Sequence, residues 1–329
     1  MNWKKRTVAV TGAGGFIASH LVEALAARGA RVRALVRYNS RNDRGMLELL
    51  PAALQRNVSI TAGDLRDPEA MYDLLDGCDA VFHLGALIAI PYSYQHPREV
   101  VETNVLGTLN ILQAARRHKL RCVVHTSTSE VYGTARQVPI SETHPLQGQS
   151  PYSASKIGAD KIAESFACAY ALPVVTVRPF NTYGPRQSAR AVIPTVITQL
   201  LAGNTLKLGS LQPTRDFCYV ADTVAGFIAA AETDKAVGEV VNLGTGCEIS
   251  IGALVQLCGE LLQVKPKIVI EARRRRPEKS EVERLLADNR KAKKLLGWAP
   301  HVPLRAGLQL TIDWLRANRE RYRPKKYTR

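Results

Sequence analysis

The chain has 329 residues, 46% of them hydrophobic and 22% charged, so it can bury the core of one large domain or of two closely joined ones. Its six cysteines are scattered and form no Cys-x-x-Cys pair, which argues against a structural zinc site and predicts a protein of the reducing cytoplasm. The formal net charge of +16 points to an anionic partner, yet we recognise no nucleic-acid-binding motif, no signal peptide and no apolar run near the roughly 20 residues of a membrane span. We therefore expect no metal, membrane or nucleic acid as a partner, and an anionic small molecule as the substrate.

The first predicted strand, Thr7 to Thr11, runs directly into a glycine-rich turn and then into a helix. Gly12, Gly15 and Ala18 have the spacing of a dinucleotide-binding turn, in which glycines allow a tight bend and a close approach of pyrophosphate to the backbone. The following helix would direct its N-terminus at that anion. The candidate cofactor-binding residues of this turn are Gly12, Gly15, Phe16 and Ile17. They predict a tightly bound NAD or NADP.

The loops after the second and third predicted strands carry the residues expected at the adenosine end of the cofactor. Where a carboxylate would hold the ribose 2′-hydroxyl of NAD, the chain has Arg37, Asn39 and Ser40. Arg37, Ser40 and Arg41 of this loop can instead hold the 2′-phosphate of NADP, or they form a solvated basic loop. Asp64 can accept a hydrogen bond from adenine, or it can cap the helix that follows. NAD and NADP both stay open at this point.

Short apolar runs alternate with helical patterns along the first half of the chain, which predicts an α/β fold with a parallel, doubly wound sheet of the Rossmann type. The predicted strands are 7–11, 31–36, 58–62, 80–84, 121–128, 173–177 and 240–243, with shorter ones at 206–208 and 267–271. The predicted helices include 97–118, the segment after Tyr152, 193–202, 221–232, 250–262 and 303–318. We predict a dinucleotide-binding domain over 1–180, to which segments near 215–245 return, and a smaller α+β substrate lobe over most of 181–329.

The middle of the chain carries the candidate catalytic groups. Tyr152 and Lys156 are four residues apart on a predicted helix, so both side chains can face one cleft. A free tyrosine has a pKa of about 10, and a neighbouring ammonium favours the phenolate, so the pair can act as a base near neutral pH. Thr128, Ser129 and Glu130 follow the fifth predicted strand, at the edge where open α/β sheets bind ligands. These five residues form the candidate catalytic set.

Several motifs occur along the chain in a characteristic order. They are TGAGGFIASH at 11–20, GDLRD at 63–67, HLGA at 83–86, NVLGT at 104–108, YSASK at 152–156, RPFNTYGPR at 178–186 and RDFCYV at 215–220. Together they resemble the extended short-chain dehydrogenase/reductases, in their branch of nucleotide-sugar epimerases and dehydratases. The resemblance implies that Tyr152 is the catalytic base, that Lys156 lowers its pKa and holds the nicotinamide ribose, and that Thr128 hydrogen-bonds the sugar hydroxyl being oxidised.

The same resemblance implies further ligand contacts and an assembly. For the cofactor these are Leu65, Leu84, Ala86 and Asn104. For the nucleotide and diphosphate of the substrate they are Asn181, Arg186, Arg215 and Arg276. Arginine suits a diphosphate because its fork of donors matches phosphate oxygens. The helices at 97–118 and after Tyr152 pair across a two-fold axis in related enzymes, so the resemblance also implies a homodimer.

The run Thr128-Ser129-Glu130 bears on the reaction. It matches GDP-mannose 4,6-dehydratases and departs from dTDP-glucose 4,6-dehydratases, which have Asp where Ser129 stands. The stretch 125–166 most resembles the UDP-N-acetylglucosamine 4,6-dehydratases of legionaminic acid pathways. We therefore expect oxidation at C4, removal of the C5 proton by Glu130, loss of water from C6 with the leaving hydroxyl protonated by Glu130 or through Ser129, and return of hydride to C6. Because UDP-glucuronate decarboxylases carry the same run, a UDP-hexuronate decarboxylase or a 4-epimerase stays the alternative.

Overall fold

A computed structural model describes residues 2–274 and 277–322 of the chain. Its strands are β1 (Thr7–Thr11), β2 (Arg31–Arg37), β3 (Val58–Gly63), β4 (Ala80–His83), β5 (Cys122–Thr126), β6 (Val174–Pro179), β7 (Asn181–Tyr183), β8 (Thr205–Leu208), β9 (Thr214–Tyr219), β10 (Val240–Leu243), β11 (Glu248–Ser250), β12 (Lys267–Ile270) and β13 (Arg284–Leu285). Its helices are α1 (Phe16–Ala27), α2 (Ala52–Gln55), α3 (Pro68–Leu75), α4 (Ile90–Gln95), α5 (Pro97–Val101), α6 (Gly107–Arg117), α7 (Pro151–Tyr170), α8 (Val192–Ala202), α9 (Val220–Glu232), α10 (Ile251–Leu262), α11 (Arg290–Leu296) and α12 (Leu304–Ala317).

Among the described residues, the largest sheet has seven strands, all parallel, in the order β10-β6-β5-β4-β1-β2-β3. The strand order reverses between β1 and β4, and a ligand crevice is expected at the carboxyl ends of such a pair. Side chains of β1 alternate between the faces, with Val8 and Val10 in one apolar cluster and Ala9 in the other. Helices cover both faces, so the central strands β1, β4, β5 and β6 are buried along almost their whole length, whereas β3 at the edge is partly exposed. The predicted Rossmann-type doubly wound sheet is confirmed.

The second half of the chain divides its elements between the large sheet and a smaller α+β lobe. In the lobe, β9 pairs with β7, β11 and β13, and β8 pairs with β12. By contrast, α9 packs against β5 and β6, and β10 joins the large sheet beside β6. The return to the large sheet therefore involves residues 220–243, whereas β9 belongs to the lobe. The domain boundary at residue 180 stays a prediction.

The segment after β5 departs from the strand predicted at 121–128. β5 ends at Thr126, and Thr128 has an extended backbone (φ −162°, ψ 154°) from which its hydroxyl accepts a hydrogen bond from the Glu130 N–H. This cap starts a 3-10 turn, Ser129–Tyr132, because a threonine hydroxyl can replace the sheet partner of a nearby N–H. Glu130 therefore lies on a turn rather than on a strand.

The helix predicted at 97–118 contains a π-helical segment, Glu102–Leu106, between α5 and α6. Asn104 lies in that segment and is buried. Its amide bonds to the carbonyl and the N–H of Leu87 and to the hydroxyl of Ser155. Because Leu87 follows β4 and Ser155 is on α7, Asn104 ties the loop after β4 to the helix that carries Tyr152. Segments of this kind are frequent at functional sites.

The start of α7 is fixed by several N-terminal signals. Ser150 is the N-cap, and it exchanges side-chain to backbone hydrogen bonds with Ser153 in a capping box. Pro151 occupies the first helical position, where its missing N–H costs nothing. Tyr152 consequently lies in the first turn of α7 and Lys156 one turn later. Both side chains are buried, at 7% and 3% exposure.

Candidate active site

The glycine turn after β1 borders a cleft of about 1440 Å³ at the carboxyl edge of the sheet. Gly12 has φ +67°, and a Cβ there would lie 2.8 Å from the Cα of Gly85, so only glycine allows these backbones to approach. Gly15 is the N-cap of α1, which places the unpaired N–H groups of a helix N-terminus beside the cleft. The predicted cofactor residues that line this cleft are Gly12, Gly15, Phe16, Ile17, Leu84 and Ala86.

A smaller cavity of about 520 Å³ adjoins the cleft and shares Gly12 and Ala86 with it. Arg37, Asp64 and Leu65, all predicted at the adenosine end of the cofactor, line this cavity. The three residues therefore lie where an adenosine would extend from the glycine turn.

Salt bridges surround this smaller cavity. The guanidinium of Arg37 donates to Glu99 at 3.3 Å, and the hydrogen bond from Arg66 holds the pKa of Asp64 below its ordinary value. Asp67, rather than Asp64, caps α3 by accepting from two backbone N–H groups. Asp64 therefore lines the cavity and does not cap the helix.

Two predicted adenosine contacts lie elsewhere. The amide of Asn39 bonds to the backbone of Asp43 and so closes its own loop. Ser40 is exposed in the same loop. Within the described part of the chain, neither residue lines the cleft or the smaller cavity. Asn104 likewise acts on the loop after β4, as described above.

The catalytic candidates meet at the end of β5. Thr128 and Tyr152 line the cleft. Burial raises the pKa of Tyr152, the nearby Thr128 hydroxyl opposes that shift, and the carboxylates of Glu130 and Asp160 add to it. The phenol alone is therefore a weak acid here and needs a nearby positive charge to become a base.

Lys156 is directed at the strand end rather than at the phenol. Its Nζ donates to the carbonyl of Thr126 at 2.6 Å. Burial lowers the pKa of Lys156 to about 8, and the carboxylate of Asp160 opposes that shift. At neutral pH the ammonium form therefore still predominates.

Glu130 and Ser129 flank this group. Glu130 is half-buried and lies close enough for its charge to act on the phenol of Tyr152. Ser129 is 3% exposed and, among the described residues, does not line the cleft. Thr128 and Tyr152 therefore face the cleft, whereas Glu130 lies near the phenol without being among the cleft-lining residues, and Ser129 is more deeply buried than Glu130.

A second cleft, of about 1170 Å³, lies against the smaller lobe. Asn181 and Arg215, predicted to bind the substrate nucleotide, both line it. Arg186 instead lines the cleft over the glycine turn and pairs with Glu23 of α1 at 2.5 Å. Arg276 lies outside the described residues. The two predicted contacts that line the second cleft come from β7 and β9, which are neighbours in the lobe sheet.

Sequence reasoning missed the residues that join the two clefts. Thr182, Gln187, Arg190 and Ala191 line both of them. Arg190 places a guanidinium at the junction, where a diphosphate would need one. No spacing or periodic pattern singles out this arginine, because it lies in the irregular segment between β7 and α8.

Buried polar atoms without hydrogen-bond partners concentrate at these clefts. In the described part of the chain there are five: the Thr126 hydroxyl, Asn181 Oδ1, Arg186 Nη1, Gln187 Oε1 and His125 Nδ1. The first four belong to residues that line one or both clefts. Because such atoms cost free energy unless a ligand or water satisfies them, their clustering marks a binding site.

Comparisons with known proteins agree with this geometry. The family model for GDP-mannose 4,6-dehydratase matches residues 9–311. A UDP-N-acetyl-α-D-glucosaminuronate decarboxylase from Bacillus cytotoxicus is 35% identical over 323 residues, which cover 95% of this chain and 98% of that protein. The chain belongs to the NAD-dependent epimerase/dehydratase family of nucleotide-sugar enzymes. This also identifies it as an extended short-chain dehydrogenase/reductase.

Solved structures of this family include similar folds with different reactions. The dTDP-glucose 4,6-dehydratase DesIV from Streptomyces venezuelae, with NAD bound, has a TM-score of 0.87 and 32% identity, covering 97% of this chain and 100% of that chain. A UDP-glucuronic acid 4-epimerase from Bacillus cereus, in a complex with NAD, has a TM-score of 0.86 and 28% identity, covering 95% and 99%. The family and its fold are thus shown, whereas its members differ in reaction.

NAD is the cofactor of this family, and the residues of this chain fit it. A Cβ at Gly15 would lie 3.1 Å from the carbonyl oxygen of Gly12, so the turn keeps open a space that a side chain would fill. The buried, unpartnered hydroxyl of Thr126 lines the same cleft. No group of three His, Cys, Asp or Glu side chains in the described residues is placed to hold a metal ion, and no described helix is long and apolar enough to cross a membrane.

Proposed function

We propose that this chain is a nucleotide-sugar 4,6-dehydratase that acts on UDP-N-acetylglucosamine. The position of Glu130 carries the proposal for the reaction type. Its carboxylate lies next to the Thr128–Tyr152 pair and raises the pKa of the phenol. A hydroxyl-oxidising pair with a second base beside it is what elimination of water next to a new ketone requires.

In the first step, this chain's residues prepare the sugar for oxidation. NAD, held at the glycine turn by residues such as Gly12 and Gly15, would supply the hydride acceptor for C4 and the hydride donor for C6. Tyr152 removes the proton of the O4 hydroxyl while Thr128 holds that hydroxyl by a hydrogen bond. The ammonium of Lys156 supplies positive charge that favours the phenolate.

The second step, elimination of water, depends on Glu130. The new 4-ketone acidifies the proton at C5, and Glu130 removes it as a general base. Glu130 then passes that proton to the C6 hydroxyl, which leaves as water. When hydride returns to C6, C5 takes up a proton, for which the proton that Tyr152 removed from O4 is available. We assign no step to Ser129, because it is buried behind the cleft wall.

The proposed substrate rests on the second cleft and on resemblance. Asn181 and Arg215 line that cleft and Arg190 lies at its junction with the first, so they can hold a nucleotide and its diphosphate. The choice of UDP-N-acetylglucosamine rests on the likeness of residues 125–166 to the corresponding dehydratases. A screen of UDP-, GDP- and dTDP-hexoses for turnover tests this choice, and preferred turnover of a dTDP- or GDP-sugar would contradict it.

The variant Glu130→Gln tests the reaction type. With substrate it should still reduce the bound NAD, seen as the near-ultraviolet absorbance of reduced nicotinamide, because Tyr152 and Thr128 are intact. It should eliminate no water, so no 4-keto-6-deoxy product should form. Glu164→Gln is the matched control, because Glu164 is exposed on α7. Full turnover by Glu130→Gln would remove Glu130 from the mechanism.

A UDP-hexuronate decarboxylase is the second candidate, and the 35% identical decarboxylase from Bacillus cytotoxicus favours it. A substrate with a carboxylate at C6 would also suit the net charge of +16. The two reactions separate cleanly by product. A decarboxylase releases carbon dioxide from a UDP-hexuronate, whereas a 4,6-dehydratase releases none and forms a 4-keto-6-deoxy sugar.

We also propose a homodimer, and a reducing cytoplasm as the compartment. Val101 and Leu106, which flank and end the π segment between α5 and α6, expose 45% and 48% of their surface. The α5–α6 segment and α7 can bury these exposed side chains against the same helices of a second copy. Light scattering should show a dimer, and the double variant Val101→Asp/Leu106→Asp should be monomeric. A monomeric wild type would contradict the dimer.

A further inference from the structure

A buried carboxylate on α7, Asp160, connects the catalytic helix to two strands. It is 4% exposed. The Ser127 hydroxyl donates to it at 2.7 Å, the Nε2 of His125 lies 3.0 Å away, and the Arg178 guanidinium donates through two nitrogens at 2.9 and 3.2 Å. His125 is on β5, Ser127 follows the last residue of that strand directly, and Arg178 is on β6. One side chain therefore joins α7 to the strand that leads to Thr128.

Asp160 lies one helical turn after Lys156, on the same face of α7. Burial raises its pKa, but the hydrogen bond from His125 and the charges of Arg178 and Lys156 together hold that pKa below its ordinary value. Asp160 is thus an anion at neutral pH. Its proximity to Lys156 is reciprocal, since each charge stabilises the other.

The other groups around Lys156 supply no negative charge at neutral pH. His83 on β4 and His125 on β5 are fully buried, which lowers both pKa values, and Lys156 lowers them further. Both rings are therefore neutral. Arg178 is a cation, and the phenol of Tyr152 stays protonated until a ligand or base intervenes. Asp160 is consequently the anion that Lys156 faces within this group.

We propose that Asp160 is a positioning residue for catalysis, whose carboxylate is the counter-charge that keeps Lys156 an ammonium fixed to the end of β5. The inference rests on the proposed function in one respect only, namely that the Lys156 ammonium assists Tyr152. A buried ammonium without a counter-charge would lose its proton and, with it, its effect on the phenol. Asp160 thereby assists the chemistry through Lys156, without touching substrate or cofactor. Its own charge, acting directly on Tyr152, raises the pKa of the phenol and so opposes part of that effect.

Nuclear magnetic resonance of the whole protein, labelled with 13C at lysine Cε, tests the charge directly. The Lys156 signal is assigned by its absence in Lys156→Met. Its wild-type titration should have a midpoint near the pKa of about 8. In Asp160→Asn the midpoint should fall by roughly one to two pH units, because unit charges one helical turn apart interact strongly in a buried site. An unchanged or raised midpoint would overturn the proposal.

Tyr132→Phe is the matched control for loss of packing and hydrogen bonding. It removes the bond at 3.0 Å between the Tyr132 hydroxyl and Arg178 but changes no charge. The Lys156 midpoint should stay at the wild-type value, and an equal fall in this variant would refute a role for the Asp160 charge. If Asp160→Asn does not fold, Asp160→Asn/Arg178→Gln also removes the guanidinium left unpaired and permits the same titration.

A kinetic measurement links the charge to the reaction. The rate at which substrate reduces bound NAD should fall at high pH as Lys156 loses its proton, and this fall should occur at lower pH in Asp160→Asn than in the wild type. If Asp160 had a purely structural role, its replacement would lower the rate at all pH values, but the pH at which the rate decreases would stay the same. If no nucleotide sugar reduces the cofactor, the proposed function fails, but the lysine titration still decides the role of Asp160.

Discussion

Replacing Lys156 with methionine should abolish catalysis yet stabilise the fold at neutral pH. Burial lowers the pKa of Lys156 from 10.5 to about 8, so holding the folded protein's lysine charged costs about 3 kcal/mol at neutral pH. Methionine removes that cost. It also leaves the Thr126 carbonyl without its donor, which costs about 1 kcal/mol. The expected net gain is about 2 kcal/mol.

The pH dependence of this gain is the sharper part of the prediction. Between about pH 8 and pH 10.5, the pKa values of Lys156 in the folded and the unfolded chain, the unfolded chain binds more protons than the folded chain. The wild type therefore becomes more stable as pH rises through this range. The advantage of Lys156→Met should therefore shrink by about 2–3 kcal/mol from about pH 7 to about pH 10. The measurement is urea-induced unfolding at both pH values, after nucleotide has been stripped from both proteins, because retained nucleotide would stabilise the wild type selectively.

Lys161→Met provides the control on the same helix. The Lys161 side chain is 60% exposed and pairs with Glu164 on the surface, so its loss should change stability little and equally at both pH values. A pH-independent difference between Lys156→Met and the wild type would refute the reasoning. It would mean that Lys156 is not desolvated in the folded protein.

Three further changes have defined outcomes. Gly12→Ala should lose the retained nucleotide and about 1–3 kcal/mol of stability, because residue 12 has φ +67° and a Cβ there would meet Gly85. Nucleotide content after purification and urea-induced unfolding check this, and unchanged nucleotide retention would contradict it. Glu99→Gln should strengthen NADP binding by about two- to fivefold by freeing Arg37, measured by calorimetry, and unchanged NADP affinity would count against it. Asp67→Ala should lower the free energy of unfolding by about 1 kcal/mol through loss of the α3 cap, while NAD binding persists. Urea-induced unfolding and calorimetry measure the two effects, and a stability equal to that of the wild type would exclude the cap.

The parts of the site that could be predicted from the sequence depend on local geometry. A glycine turn between a strand and a helix needs only neighbouring residues, so Gly12 and Gly15 could be placed at the cofactor cleft. The four-residue spacing of Tyr152 and Lys156 fixes a shared helix face in the same way. The parallel sheet follows from alternating strands and helices. Each of these inferences spans a few residues or one repeating unit.

The parts that could not be predicted depend on contacts between distant segments. The bonds of Asp160 reach His125 and Ser127, which are 35 and 33 residues away along the chain. Arg190 acts at the junction of two clefts only because β7 and α8 bring its loop there. Strand propensity extended β5 through Thr128, but the threonine hydroxyl capped a turn instead. Long-range packing and a local side-chain bond outweighed the pattern in these cases.

The same physical reasoning explains why the reaction is harder to infer than the family. A dehydratase, a decarboxylase and a 4-epimerase all begin by oxidising C4, so the roles proposed for Tyr152 and Thr128 would be the same in each of them. They diverge in what the substrate carries at C5 and C6 and in which group of the protein faces those carbons. In the proposed mechanism that group is Glu130, which sits on a turn set by the Thr128 hydroxyl rather than on a strand. We expect the substrate's pose to depend on the junction segment with Gln187 and Arg190, which lines both clefts and whose sequence carries no regular pattern. The outcome of the reaction therefore depends on the least regular part of the site.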